Sequence, residues 1–254
     1  MNIIVAIKLV PDLVEELKIN EEGNFLDLES LRLRVNEFDD HALEQAILLK
    51  ERGAGRVIVI ALDGEGVEDA LFTAAAKGAD QIIKLTGNTM PLVSNHTLAR
   101  WLAPVIKSLQ PSLVLTGVQA HNDLDGPLGP LLAEYLDLPY VGYVAKATMK
   151  DGEVEIRKEY PDGLAAEMEI DLPAVLGIQA AEQPPRYIAF SRIRQAMKTV
   201  QLEERQIPDP YIEEPIAIAR LFQPEIGERA EIISGDVDEI AARLVDIFTD
   251  LDLL

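Results

Sequence analysis

The chain contains no cysteine. Disulfides, zinc–thiolate sites, iron–sulfur ligation and thiol nucleophiles are therefore excluded. Histidine is scarce too: His41, His96 and His121 lie far apart in the sequence, so no multi-histidine metal site is expected. Positive charge is in deficit. Lys and Arg number 23 against 44 Asp and Glu, a net charge of −21, which repels phosphate backbones and anionic bilayers and excludes nucleic acid as a main partner. Long apolar runs are missing as well. The N-terminal MNIIVAIKLVPD has an apolar run of about six residues that Pro11 soon follows, too short for a signal peptide. No later segment reaches the roughly 18 residues a span needs. A soluble, cytoplasmic protein without membrane insertion is expected. What remains is ordinary globular composition, 254 residues with 48% hydrophobic side chains, enough for one or two domains with a full core.

Short Val/Ile/Leu runs alternate with helix-period stretches through the first half. Asn2–Ile7, Arg56–Leu62, Gln81–Leu85 and Ser112–Thr116 are apolar continuously rather than alternately, as strands buried on both faces require. Between them, residues 39–52, 66–77 and 92–109 repeat apolar side chains at helical spacing. This order predicts a parallel sheet with helices on both faces. The middle changes character. Tyr143–Lys150, Asp151-Gly152 and Glu153–Tyr160 read as a hairpin with an Asp-Gly turn. Pro161-Asp162-Gly163 leads into a third antiparallel strand over Leu164–Leu172, so residues 143–172 form a meander. Pro173–Ile178 reads as a return to the buried sheet. Residues 203–230 carry Pro208, Pro210, Pro215 and Pro224 with little periodicity and read as an extended arm. Asp236 with Glu239 forms a capping box opening a final amphipathic helix. The division expected is 1–200 for the α/β domain and 203–254 for the arm and helix.

Four segments carry candidate chemistry. GVQAHNDLDGPLGPLLAEYL (117–136) follows a buried strand and opens a helix, with Asp125 as N-cap and Pro127 in the first turn. Such a loop lies where nucleotides bind α/β sheets, and a helix N-terminus there favours phosphate. A Gly/Pro-rich turn with a capped helix is the plainer reading, and Asp123, Asp125 and Pro127 all work against an anion. VNEFDDHALEQA (35–46) puts Asn36 at a helix entry, either to bond an adenine or ribose edge or simply to start the helix. VAIKLVPD (5–12) is a strand exit that offers backbone groups to a base, or only a turn. Residues 183–202 contain no acidic residue but include Arg186, Arg192, Arg194 and Lys198 interleaved with Tyr187, Ile188, Phe190 and Ile193. That pattern fits a solvated helix face or docking onto an acidic protein. For catalysis there is little: no nucleophile signature occurs, and His121 beside Asp123 is one possible acid/base pair, or simply an exposed histidine in a polar loop. No catalytic residue is assigned, and binding is the expected work of the chain.

These segments, with AAAKGADQIIKL (74–85) and DLPAVLGIQAAEQPPRYIAFSRIRQAMK (171–198), occur in an order that resembles the beta subunit of electron transfer flavoprotein over roughly residues 1–200. The resemblance implies a Rossmann-like, adenine nucleotide alpha hydrolase-like domain with an antiparallel extension. It implies a heterodimer in which the alpha subunit makes most contacts to a redox FAD and is wrapped by the arm. It also implies an AMP, or a second FAD in bifurcating members, buried in this chain. Electrons would pass from dehydrogenases, such as acyl-CoA dehydrogenases, to a quinone reductase or another acceptor. By position, the cofactor residues implied are Ala6, Lys8, Asn36, Leu62, Asp63, Gly117, Gln119, Ala120, Asp123, Asp125, Gly126, Pro127, Leu128 and Gly129. Here the chain departs from the family, whose Asp-rich stretch is followed by Thr and Gln donors, since Pro127 replaces a Gln. The island over 186–198 matches the loop that docks dehydrogenases, which assigns Arg186, Tyr187, Phe190, Ile193 and Arg194 to that contact, with Phe190 in place of the family's usual Leu anchor. The scaffold alone would also suit a stand-alone nucleotide-binding regulator resembling universal stress proteins, but such a protein needs neither the meander nor the tail.

Overall fold

A computed structural model describes residues 1–27, 31–87, 93–150, 152–207, 217–224 and 230–253. The continuous apolar runs become the centre of a nine-stranded sheet, because only strands covered on both faces bury every side chain. Along the chain the elements are β1 (Asn2–Ala6), β2 (Leu9–Pro11), β3 (Leu33–Val35), α1 (Glu37–Glu51), β4 (Arg56–Leu62), α2 (Val67–Lys77), β5 (Gln81–Thr86), α3 (Asn95–Ser108), β6 (Leu113–Gly117), α4 (Leu128–Leu136), β7 (Tyr140–Lys150), β8 (Glu153–Glu159), β9 (Ala165–Asp171), β10 (Ala174–Ile178), α5 (Phe190–Thr199), β11 (Leu202–Gln206) and α6 (Val237–Asp250). The large sheet runs β11-β5-β4-β1-β6-β10-β7-β8-β9. It is parallel from β11 to β7 and antiparallel through β8 and β9.

Two cores flank the sheet. Ile3, Val5, Val57, Val59 and Leu115 face α1 and α2, whereas Ile4, Ile58, Ile60, Ile83 and Val114 face α3 and α4, where Trp101 is fully enclosed. Odd and even positions of one strand thus feed opposite layers, the period-2 rule of strands. The parallel strands, the meander and the Asp236–Glu239 capping box all form as expected, although Asp151 of the hairpin turn lies outside the described residues. Two expectations need correction. Residues 202–206 are not arm: Glu203 and Glu204 sit in β11, paired in parallel with Ile83 and Lys84 of β5, where the LEERQ sequence is tolerated because an edge strand keeps one side in water. The N-terminal turn also hides a small second sheet, β2 against β3. Pro208, Pro210 and Pro215 of the expected arm lie outside the described residues.

Candidate functional site

Strands β1, β4 and β6 end side by side at the carboxyl edge of the sheet, at Ala6, Leu62 and Gly117. What joins them is Asp39, in the first turn of α1. It is buried at 5% exposure, and its carboxylate accepts from the backbone N–H of Lys8 (3.0 Å) and of Gly117 (2.8 Å). Burial pushes its carboxyl up to about 6, outweighing the Lys8 charge and the two amides that favour the ionised form. Gly117 has to be glycine for this contact: a Cβ there would stand 2.5 Å from Asp39 Oδ1 and 2.7 Å from Phe38 Cβ. Asn36 precedes α1 without capping it through its side chain. Its amide donates instead to the Gln119 carbonyl at 2.9 Å, tying the helix entry to the loop after β6.

That loop is braced from within. The Lys8 ammonium forms an ion pair with Asp123 and donates to Asn95 Oδ1 at 3.3 Å. Asn95 Nδ2 donates to Asp123 Oδ1 and to the Gly126 carbonyl, both at 2.7 Å. The other Asp123 oxygen accepts from the Ala120 N–H at 2.8 Å. Asp125 is not the N-cap of α4; its carboxylate accepts from the His96 N–H at 3.0 Å and so serves the first turn of α3. The N-cap of α4 is Pro127, with no side-chain cap, one residue earlier than the first-turn place expected for it. Gly129 is set by packing: a Cβ there would lie 2.7 Å from the Tyr140 ring and 2.8 Å from Thr116 Oγ1. Burial pushes the Tyr140 phenol up to about 12.

The structure thus gathers Ala6, Lys8, Asn36, Gly117, Gln119, Ala120, Asp123, Asp125 and Gly126 around one sheet edge, with Pro127, Leu128 and Gly129 entering α4. Leu62 and Asp63 end the neighbouring strand. Asp63 is exposed and lies 3.9 Å from Lys84, whose ammonium is pushed upward by Glu68 and Glu204 at 2.6 and 2.9 Å. Sequence reasoning missed Asp39 and Asn95. Asp39 lay inside a segment already singled out, but as helix; Asn95 carries no local signal, because its role depends on the loop 28 residues on. His121 and Asp123 do not form an acid/base pair. Asp123 is turned to Lys8, and His121 is exposed beside Gln119, Phe38 and Arg34 on a cleft of about 380 Å³ under the β2–β3 sheet.

The basic island has a different geometry. Arg186 is not a free docking cation: its guanidinium binds Glu44 at 2.8 Å and Glu51 at 2.6 Å on α1, and its N–H donates to Glu44 at 2.9 Å. Glu182 binds Arg52 at 2.8 Å and Gln45 at 3.1 Å, and His41 accepts from the Ala181 N–H at 3.2 Å. The loop is stapled to α1 by these contacts. Beyond the staple, Tyr187 and Phe190 stand out at 90% and 62% exposure, with the Arg194 guanidinium stacked 4.7 Å from the Phe190 ring centre. Ile193 is half-buried.

A nucleotide phosphate at the sheet edge would need free donors and positive charge. The N–H groups of Lys8, Gly117, Val118, Ala120 and Asp123 are all engaged within the protein. Pro127 and Pro130 bring none, and Lys8 is neutralised by Asp123. These donors are spent, and the set fits a phosphate poorly. Among the described residues, no helix is long and apolar enough to cross a membrane and no His/Asp/Glu group is arranged to hold a metal.

Comparison with known proteins accounts for the architecture. The family model of the electron transfer flavoprotein domain matches residues 26–210. The chain is 32% identical to the electron transfer flavoprotein subunit beta of Methylophilus methylotrophus, covering 98% of both chains. It is 29% identical to that of Thermoanaerobacterium thermosaccharolyticum and 28% identical to that of Bacillus subtilis, each over 97% of both chains. A stand-alone regulator is set aside by matches of this length. A Rossmann-like sheet with an antiparallel extension, a stapled basic loop and full-length similarity to these relatives together place the chain in the electron transfer flavoprotein family, among its beta subunits.

Proposed function

We propose that the chain pairs with an alpha subunit to form a heterodimeric electron carrier. In it, FAD is held mainly by the alpha subunit, and electrons pass from dehydrogenases, such as acyl-CoA dehydrogenases, to a quinone reductase or another acceptor. The flavin would supply the redox chemistry; this chain closes its surroundings and presents the docking surface. The observation that carries the reading is the α5 loop. Its aromatic anchors Tyr187 and Phe190 project into solvent while Arg186 holds the loop rigid on α1, and a preorganised aromatic flanked by Arg192, Arg194 and Lys198 suits an acidic partner. Helix α6 supports the alpha-subunit contact. None of its residues is buried, yet Val237, Leu244, Val245 and Phe248 are apolar, as expected of a face covered in a heterodimer. The cleft lined by Val10, Pro11, Leu13, Phe38, Arg34 and His121 offers an apolar wall with polar edges, suited to the exposed side of a flavin.

The test is to co-express the chain with its alpha subunit, count flavin per heterodimer, and follow flavin reduction by candidate dehydrogenases. Phe190→Ala should weaken docking by about 2 kcal/mol or more, roughly thirtyfold, with heterodimer and flavin content unchanged. Reduction kinetics equal to wild type would refute the assignment of Phe190.

A further inference from the structure

Resting on the beta-subunit reading, we infer that the nucleotide position of this chain is sealed by its own side chains. The Lys8–Asp123–Asn95 network does the joining that a bound adenine nucleotide would otherwise do, and the chain holds neither AMP nor a second FAD. Three independent observations converge. The first is charge. At the edge formed by β1, β4 and β6, Lys8 is paired with Asp123, and the neighbouring loop carries a second carboxylate, Asp125, whose recorded partner is the His96 N–H and not a cation. A phosphate placed there meets the Asp123 carboxylate at low solvent exposure, where repulsion is poorly screened.

The second is donors. An anion at a helix start depends on free first-turn amides. In α4 the N-cap is Pro127 and Pro130 follows within the first turn, so both lack an N–H. In the preceding loop four donors are spent: Gly117 N–H goes to Asp39, Val118 N–H to the Ile178 carbonyl at 2.9 Å, Ala120 N–H to Asp123, and Asp123 N–H to the Ala120 carbonyl at 3.1 Å. The third is space. Two of the three glycines here are filled by protein, Gly117 by Asp39 and Phe38 and Gly129 by Tyr140 and Thr116, whereas Gly126 faces open space. One buried atom in this region lacks a partner, Thr116 Oγ1. It lies 2.8 Å from the position of a Gly129 Cβ, under the first turn of α4, and Thr116 is 1% exposed, so it faces no ligand space.

The network also has the reach of a structural bridge. Lys8 leaves β1, Asn95 and His96 open α3, and Asp123, Asp125 and Gly126 belong to the loop between β6 and α4. Three loops that a nucleotide would cross-link are already cross-linked.

The experiment uses the heterodimer purified with its alpha subunit, denatured, with released nucleotides identified by mass spectrometry and flavin counted by absorbance. The expected result is one FAD per heterodimer and AMP at background, with no rise in melting temperature when AMP is added to the intact heterodimer. Stoichiometric AMP, a second FAD, or a melting-temperature rise that saturates with AMP would overturn the inference. Lys8→Met and Asp123→Asn, prepared separately, should each lower the melting temperature of the heterodimer while leaving its flavin content intact; unchanged melting in both would remove the bridging role. Failure to recover flavin or an alpha-subunit complex at all would instead count against the beta-subunit reading, and the nucleotide released from the chain alone would still report on the seal.

Discussion

Asp39 gives the sharpest physical prediction. Its carboxylate is buried between β1, β6 and α1 and is bonded to two backbone amides. Desolvation still prevails, raising it from its ordinary 3.8 to about 6. The folded state therefore binds more protons than the unfolded state between those two values. The stability this group contributes is fully present below about pH 4 and is lost as pH rises through about 6, so that above pH 7 the buried charge costs about 3 kcal/mol, at about 1.4 kcal/mol per tenfold in proton affinity. Asp39→Asn keeps one acceptor oxygen but cannot ionise. Urea unfolding of wild type and variant, followed by emission of the single tryptophan, Trp101, which is fully buried, would be compared at pH 4 and pH 7.5. All other carboxylates titrate alike in the two proteins, so the change in their stability difference isolates Asp39. The variant should gain about 2 kcal/mol on wild type over that interval, because the unfolded carboxyl is already partly ionised at pH 4, whatever its offset from the lost amide partner. A difference that does not change with pH, or that moves against the variant as pH rises, would show that the two amides and Lys8 overcome burial, and would refute the reasoning.

Three further perturbations follow from the same contacts. Arg186→Ala leaves Glu44, whose side chain is 2% exposed, as a buried carboxylate without its cation, keeping only the backbone N–H of residue 186, and should destabilise the chain by about 3 kcal/mol, read as a lower urea midpoint at unchanged slope. Gly129→Ala drives a methyl into Tyr140 and Thr116. It should cost about 1–3 kcal/mol, visible as a drop in melting temperature, and a neutral result would mean that the first turn of α4 shifts freely. Removing residues 230–254 takes away α6, in which no residue is buried. Thermal unfolding of the α/β body should be unchanged, while size-exclusion chromatography with the alpha subunit should show loss of the heterodimer.

Much of the architecture was readable in advance because it rests on local rules. Runs such as RVIVIAL and LVLTG admit no solvent-facing side, and the sheet that results must be covered twice. The Asp-Gly hairpin, the helix periods and the Asp236 capping box are similarly short-range. The edge strand β11 escaped because LEERQ has no apolar pattern of its own; its place follows from pairing with β5, more than a hundred residues earlier.

The site divides along the same line. Which residues crowd the carboxyl edge of the sheet was legible from the order of strands and loops, since parallel topology sends every such loop to one side. What those residues do there was not. Asp125 reads as a cap for the helix that follows it and caps another. Arg186 reads as a docking cation and is a strut on α1. Lys8 reads as a strand-end residue beside a nucleotide and is paired with Asp123. Each outcome depends on a partner 29 to 142 residues away. Composition and periodicity decide which side chains are buried and which strands form, because those choices are made by each segment against water. Pairing among charged groups at a junction is decided only when the tertiary fold has brought them within a few ångströms, where Coulomb attraction and hydrogen bonding become large enough to select one partner over another.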